Sequence, residues 1–160
     1  MLSPKFRRVV TVEPEPKNLE CLRANLSECN NVRIVAGVLD MVPGKAKLNY
    51  RETSSGGHHI MTRKDRPWIE VDMYQMDTLV DLQKERVGLI MLDIEGYELQ
   101  ALIGATAIIE KDHPVIVIEE NGGAKKFGFR TDAARRWLMS EGYEVVDEFD
   151  EDLVMVWRPS

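Results

Sequence analysis

The stretch Val87 to Ala105, VGLIMLDIEGYELQALIGA, constrains the fold more than any other part of the chain. Val87 to Leu92 is apolar without alternation, which suits a strand covered on both faces, as in a parallel α/β sheet. The strand stops at Asp93-Ile94-Glu95-Gly96. Burying an unpaired charge is strongly unfavourable, so two carboxylates at the end of an apolar strand must face solvent, a partner or a ligand. Ligands of open α/β sheets sit outside the carboxyl ends of the strands. Asp93 and Glu95 are therefore the first candidates for chemistry. Tyr97 to Ile103 continues as a helix, with Gly104 near its end and a pattern that runs on toward Glu110.

The flanking segments repeat the alternation of strand and helix. Val9 to Glu13 is a β-branched strand ending in an acid, and Pro14-Glu15-Pro16 breaks it. Asn18 is placed to cap a helix from Leu19 to Ser27, with Leu19, Leu22 and Leu26 on one face. Val32 to Val38 is a second strand, followed by Asp40. Lys45 to Tyr50 alternates polar and apolar residues, as does Trp68 to Met73, so the two are expected to pair as an exposed antiparallel insertion. Between them lies a polar, glycine-bearing loop, ETSSGGHHIM. Asp77 to Leu82 reads as a short helix or turn. Val115 to Ile118 is a buried-type strand running into Glu119, and Thr131 to Ser140 is a helix with Thr131 as its cap and Gly142 as its stop. Tyr143 to Glu148 and Asp152 to Trp157 form a terminal hairpin.

The order implies an α/β, Rossmann-like fold: a mostly parallel sheet with helices on both faces, a C-terminal antiparallel hairpin and an inserted β pair near residues 45–73. A length of 160 residues fits a single domain, 1–160. The net charge of -6 argues against nucleic acid, whose phosphates call for basic surface. No apolar run reaches the ~18 residues of a membrane span, and the start, MLSPKFRRVV, lacks the apolar region of a signal peptide. The expectation is a cytoplasmic protein with no membrane partner. Cys21 and Cys29 fall in a helical pattern and read as reduced, half-buried thiols.

Taken together, VVTVEPEPKNLECLRANL, VRIVAGVLDMVPGKAKL, the SSGG loop, IEVDMYQMDTLVDL, LIMLDIEGYELQALIGA and HPVIVIEEN resemble the FkbM family of S-adenosylmethionine-dependent methyltransferases, over about Val9 to Val146. The acidic-glycine motif at Asp93 to Gly96, with Leu102 and Gly104-Ala105 behind it, is the most specific piece. The resemblance implies a class I methyltransferase fold, with S-adenosylmethionine carried at the strand ends. Glu13 matches the acid that takes the ribose hydroxyls, a task that suits a carboxylate because it accepts two hydrogen bonds. Read on its own, Glu13 is more simply an ordinary helix-entry acid with Pro14 behind it. Gly37, Val38 and Asp40 lie where the adenine edge would sit; by itself Asp40 is a turn acid before Pro43-Gly44.

Methyl transfer to a hydroxyl is an in-line displacement in which the enzyme aligns the nucleophile and takes its proton. In the family's pattern Asp93 and Glu95 stand where that task falls, with the alternative that one of them caps the following helix. Glu119 matches the acid after the next strand and is a candidate for substrate. His58 and His59 sit in the glycine loop, where either would reach an acceptor if the loop closed over it. Adjacent histidines in extended chain point to opposite sides, which argues against a shared metal site, and the reading assigns no residue to a metal. Tyr97, Trp68 and Trp137 read as packing residues.

One part of the family pattern is not in this sequence. The class I fold opens with a strand and a glycine-rich turn, D-x-G-A-x-x-G, where backbone approaches the methionine end of the cofactor. Here eight residues precede Val9, and the first glycine is Gly37. The expectation is a domain truncated at its N-terminus relative to the family, lacking the fold's first strand. The Val9 and Val87 strands would then pair directly, borrow a strand from a complementing chain, or rely on a homo-oligomer to cover them. Two functions follow. One is O-methylation of a small-molecule acceptor, a sugar or secondary-metabolite hydroxyl. The other is a non-catalytic or split remnant that serves as a binding or assembly module.

Overall fold

A computed structural model describes residues 5–49, 59–60 and 67–159. The chain forms two compact units, one from residues 1–39 and 43–74, the other from 40–42 and 75–160. The expected α/β class holds, and among the described residues the strands are divided between three sheets with both parallel and antiparallel pairs.

In the first unit, β1 (Val9–Glu13) and β2 (Val32–Ala36) pair in parallel, with Glu13 opposite Ala36, and α1 (Pro16–Asn25) connects them. The cap of α1 is not Asn18 but Glu15, whose carboxylate accepts the Asn18 N–H at 2.7 Å. Pro16 moves the start upstream: it has no N–H to leave unpaired and its fixed φ suits the first helical position. The Val32 strand also ends earlier than its apolar run. Gly37 has φ 154°, and a Cβ there would lie 2.5 Å from the Asp72 carbonyl oxygen and 2.7 Å from the Tyr74 ring. The chain turns at this glycine and leaves the first sheet. It continues as β3 (Val38–Leu39), which pairs in parallel with β6 (Trp68–Tyr74). The expected insertion is present as β4 (Gly44–Asn49) antiparallel to β6, with Ala46 opposite Val71 and Leu48 opposite Ile69. Here β5 (His59–Ile60) adds to the other side of β4.

The second unit holds β7 (Leu89–Leu92), α2 (Glu98–Ile103), α3 (Thr106–Asp112), β8 (Val115–Glu119), α4 (Ala133–Ser140), β9 (Tyr143–Phe149) and β10 (Asp152–Trp157). Its sheet runs β7-β8-β10-β9; the first pair is parallel and the other two antiparallel, so the terminal hairpin closes one edge as expected. Ile90, Leu92, Ile116, Ile118, Leu153 and Met155 are all buried on one face of this sheet. The opposite face differs from the expectation of a strand covered on both sides. Met91 is 58% exposed and Val115 is 38% exposed. A continuous apolar run reports that a strand is apolar, and says nothing of what is present to cover its second face. Among the described strands of each unit, β1 pairs with β2 and β7 with β8.

Two helix boundaries differ from the sequence expectation. The helix after the acidic turn divides at Gly104-Ala105, and position 104 admits only glycine because a Cβ there would meet the Asp40 carbonyl oxygen at 2.2 Å. The chain then restarts as α3, and its first turn is capped from a distance. Asp77, in the 3-10 turn Met76–Thr78, accepts the N–H groups of Ala107 and Ile108 at 3.0 and 2.9 Å. The last helix starts at Ala133, after Asp132 rather than Thr131, and Asp132 is held by Arg130 instead of capping the helix. Among the described residues no helix is long and apolar enough to cross a membrane. Cys21 is exposed, not half-buried, Cys29 is partly buried, and both are free thiols.

Asp77 satisfies two of the backbone donors that a helix start leaves open. Asp77→Ala is expected to cost about 1–2 kcal/mol, the scale of a lost helix cap. Urea unfolding of the variant against the parent chain measures it, with an unchanged midpoint as the contrary result.

Candidate active site

The candidate site lies in the second unit, where β7 and β8 end side by side. Leu92 pairs with Ile118, so Asp93 and Glu119 leave neighbouring parallel strands at the same level. Parallel register is what brings them together: two acids 26 positions apart in sequence become neighbours because their strands end together. Asp93 is exposed and Glu119 partly buried. Burial, the Asp93 charge, a hydrogen bond to Asp93, and the nearby Glu95 and Glu98 together push the Glu119 carboxyl up to about 7. A carboxyl raised that far can keep its proton toward neutral pH, and then donates a hydrogen bond to Asp93. Asn121 orders the other side. Its Nδ2 donates to Glu119 Oε2 at 2.6 Å and its Oδ1 accepts the Gly123 N–H at 2.8 Å.

The turn after β7 is the most constrained backbone in the site. Glu95 has φ 61° and Gly96 φ 101°, two successive left-handed residues. A Cβ on Gly96 would lie 2.1 Å from the Gly123 carbonyl carbon, and one on Gly123 would lie 2.5 Å from the Glu95 carbonyl oxygen. Each glycine admits the backbone of the other turn. Glu95 points to Lys126, its Oε2 3.5 Å from Nζ. Neither Asp93 nor Glu95 caps α2. The carboxyl that serves the turn is Glu98, which is buried and accepts the N–H groups of Ile94 and Gly96 through one oxygen at 3.2 and 3.1 Å. Burial raises its pKa above the ordinary carboxyl value. Reading the sequence by strand ends passes over Glu98 because it lies inside the helix. The signal that finds it is a third acid in D-x-E-G-x-E, at the start of a helix that continues with Leu99, Ala101, Leu102 and Ile103.

Asp40 belongs to the same unit. Its Oδ2 accepts the Tyr97 hydroxyl at 2.8 Å and its Oδ1 the Met41 N–H at 2.6 Å. Burial, and then Asp40 as acceptor, raises the Tyr97 pKa and keeps the hydroxyl protonated. Tyr97 is thus more than packing, although its ring also meets Phe127 edge-on at 4.9 Å. In the first unit, Glu13 is half-buried, with Oε1 accepting the Glu15 N–H at 2.8 Å and its backbone carbonyl accepting the Gly37 N–H at 3.2 Å. Gly37 packs against β6, and Val38 pairs with Met73. His59 lies in β5; His58 and the SSGG loop lie outside the described residues. Among the described residues no group of three or more His, Cys, Asp or Glu is arranged to hold a metal ion.

An acid motif ending one parallel strand, a second acid ending its neighbour, and a small antiparallel insertion upstream have a counterpart among known proteins. The family model described as Methyltransferase FkbM domain matches residues 5–145. The chain belongs to the FkbM methyltransferase family. S-adenosylmethionine-dependent methyl transfer is the chemistry the family implies. The fold is similar to that in the crystal structure of methyltransferase FkbM from Methylobacillus flagellatus KT, with a TM-score of 0.64, 20% identity, and coverage of 94% of this chain and 36% of that one. This chain thus spans about a third of the length of its structural relative, and at that identity the likeness speaks for the fold alone. No curated protein matches the sequence.

The fit of this FkbM chain to the donor is uneven. Glu13 suits ribose hydroxyls: it is half-buried, and its second carboxylate oxygen makes no hydrogen bond among the described residues. Asp40 is buried and accepts one hydrogen bond on each oxygen, from the Met41 N–H and the Tyr97 hydroxyl, so it is less open to a ligand than Glu13 but keeps a second lone pair on each oxygen.

The raised Glu119 carboxyl has a consequence for stability. Its pKa is about 7 in the fold against 4.5 for an unperturbed group, so the folded state binds the proton more tightly than the unfolded chain. The stabilisation this gives is complete below pH ~4.5 and is lost as pH rises through ~7. Glu119→Gln, which cannot ionise, should remove that part of the slope. Thermal melts at pH 5 and pH 8 should show the difference between the two temperatures shrinking in the variant; equal differences in both proteins contradict the assignment.

Proposed function

We propose that this chain contributes the acceptor half of an FkbM-type methyl transfer, O-methylating a hydroxyl on a sugar or secondary metabolite. The observation that carries the reading is the pairing of Asp93 with Glu119, a carboxyl held near neutrality beside an exposed carboxylate. S-adenosylmethionine would supply a methyl group on a sulfonium sulfur, with Glu13 at its ribose. The acceptor hydroxyl must lose a proton as its oxygen becomes an ether oxygen. A base works best when its pKa lies near the working pH, and the ionised form of Glu119 meets that condition. Asp93, exposed at the strand end, would orient the hydroxyl, and Glu95 would sit at the rim with Lys126. His58 and His59 remain candidates for contact with the acceptor.

Titration calorimetry with S-adenosylmethionine tests the donor side. Binding is expected, with Glu13→Ala weakening it by roughly 1–3 kcal/mol, the range for hydrogen bonds to a charged group. An unchanged affinity removes Glu13 from the site. On the acceptor side, release of S-adenosylhomocysteine across a panel of polyhydroxylated acceptors should rise with pH through ~7. Asp93→Asn and Glu119→Gln should each lower it by about 10²–10⁴-fold, the contribution of a positioned acid or base. Full turnover in Glu119→Gln would retire Glu119 as the base.

A second reading is supported by the edge position of β7 among the described strands of its sheet and by the exposure of Met91 and Val115. An apolar parallel strand with one unpaired edge favours addition of a further strand. On this reading the chain acts as a binding module, completed by a second copy or by a complementing chain. Calorimetry by the chain alone separates the two readings: no donor binding at millimolar concentration favours the second.

A further inference from the structure

The pairing of Asp93 with Glu119 requires the turn after β7 to hold a shape that its sequence does not favour by itself. Glu95 is a non-glycine residue at φ 61°, a left-handed conformation in which the Cβ of an L-residue crowds the following carbonyl oxygen. With Gly96 at φ 101°, the N–H groups of Ile94 and Gly96 turn inward, away from any helix or sheet partner. Both meet one oxygen of Glu98. That side chain is 4% exposed and cannot itself reach an acceptor. Gly96 in turn lies against Gly123, whose N–H is held by Asn121, the residue that donates to Glu119. A chain of contacts therefore runs from Glu98 through the two turns to Glu119.

We infer that Glu98 is a positioning residue: by accepting the Ile94 and Gly96 N–H groups it fixes the left-handed turn that sets Asp93 against Glu119. The inference rests on the reading of that pair as the acceptor-side acid and base, and its test needs no turnover. The charged groups that face Glu119 are Asp93, Glu95 and Glu98. Lys126 faces Glu95. Of the three acids, Asp93 contributes most to holding the proton on Glu119, and Glu98 contributes least through its own charge. Loss of Glu98 should therefore act on Glu119 through the displacement of Asp93 and not through the missing charge.

The experiment is a pH titration of the glutamate side-chain carboxyl carbons by NMR in the intact chain and in Glu98→Gln and Glu98→Ala. Glutamine keeps an oxygen that can accept both N–H groups, so Glu119 should continue to titrate near 7 in Glu98→Gln. In Glu98→Ala the midpoint should fall toward the ordinary 4.5. A midpoint unmoved by alanine, or lowered equally by both substitutions, overturns the inference. Should the alanine variant fail to fold, amide exchange in the unaltered chain decides: Ile94 and Gly96 are expected to exchange slowly, and exchange at the rate of an open turn overturns it. The two readings fail separately. Absence of methyl transfer with the stated titration pattern removes the acceptor-base role and leaves the positioning intact.

Discussion

Everything that recommends the site depends on two backbones meeting at Gly96 and Gly123. Neither glycine can be replaced in place, because a single carbon on either would overlap the other turn. Parallel register brings Asp93 and Glu119 out of β7 and β8 side by side, and this contact packs the two turns that follow them against each other. Electrostatics then follows from geometry. Partial burial penalises the ionised form of Glu119, and the neighbouring Asp93 charge adds to that cost. The proton that Glu119 retains is the outcome.

The surrounding acids divide the remaining tasks according to burial. Glu98 is buried and bonded to backbone, which suits it to shaping the turn. Glu95 faces a lysine at the surface. Asp40 is closed off by Tyr97 and Met41. Only Asp93 combines exposure with a neighbouring carboxyl of raised pKa. In a chain with a net charge of -6 the number of acids carries little information; their partners separate the chemical groups from the structural ones.

Much of the architecture was legible because it depends on short-range patterning. The β-branched run at Val9, the alternation of Lys45 to Tyr50 and of Trp68 to Met73, and the terminal hairpin each describe a segment and its nearest partner, and these pairings are present. Misreadings cluster where a distant group decides. The run from Tyr97 to Glu110 looks like one helix but divides at Gly104-Ala105, where the Asp40 carbonyl occupies the place of a side chain at Gly104. Asp77 has no local mark of its role in capping α3, thirty residues away.

The sequence by itself determined the α/β class, the family, and the two acids at the end of the strand, because apolar periodicity and a short acidic-glycine motif are local properties of a chain. Only the tertiary structure decided which acids act together. Asp93 and Glu119 are joined by parallel register, Glu98 is drawn to the turn by two unpaired N–H groups, and Asp40 is committed to Tyr97. None of these pairings can be read along one strand or helix, since each depends on distances between elements, and a carboxyl's proton affinity is set by what lies within a few ångströms of it rather than by its neighbours in sequence.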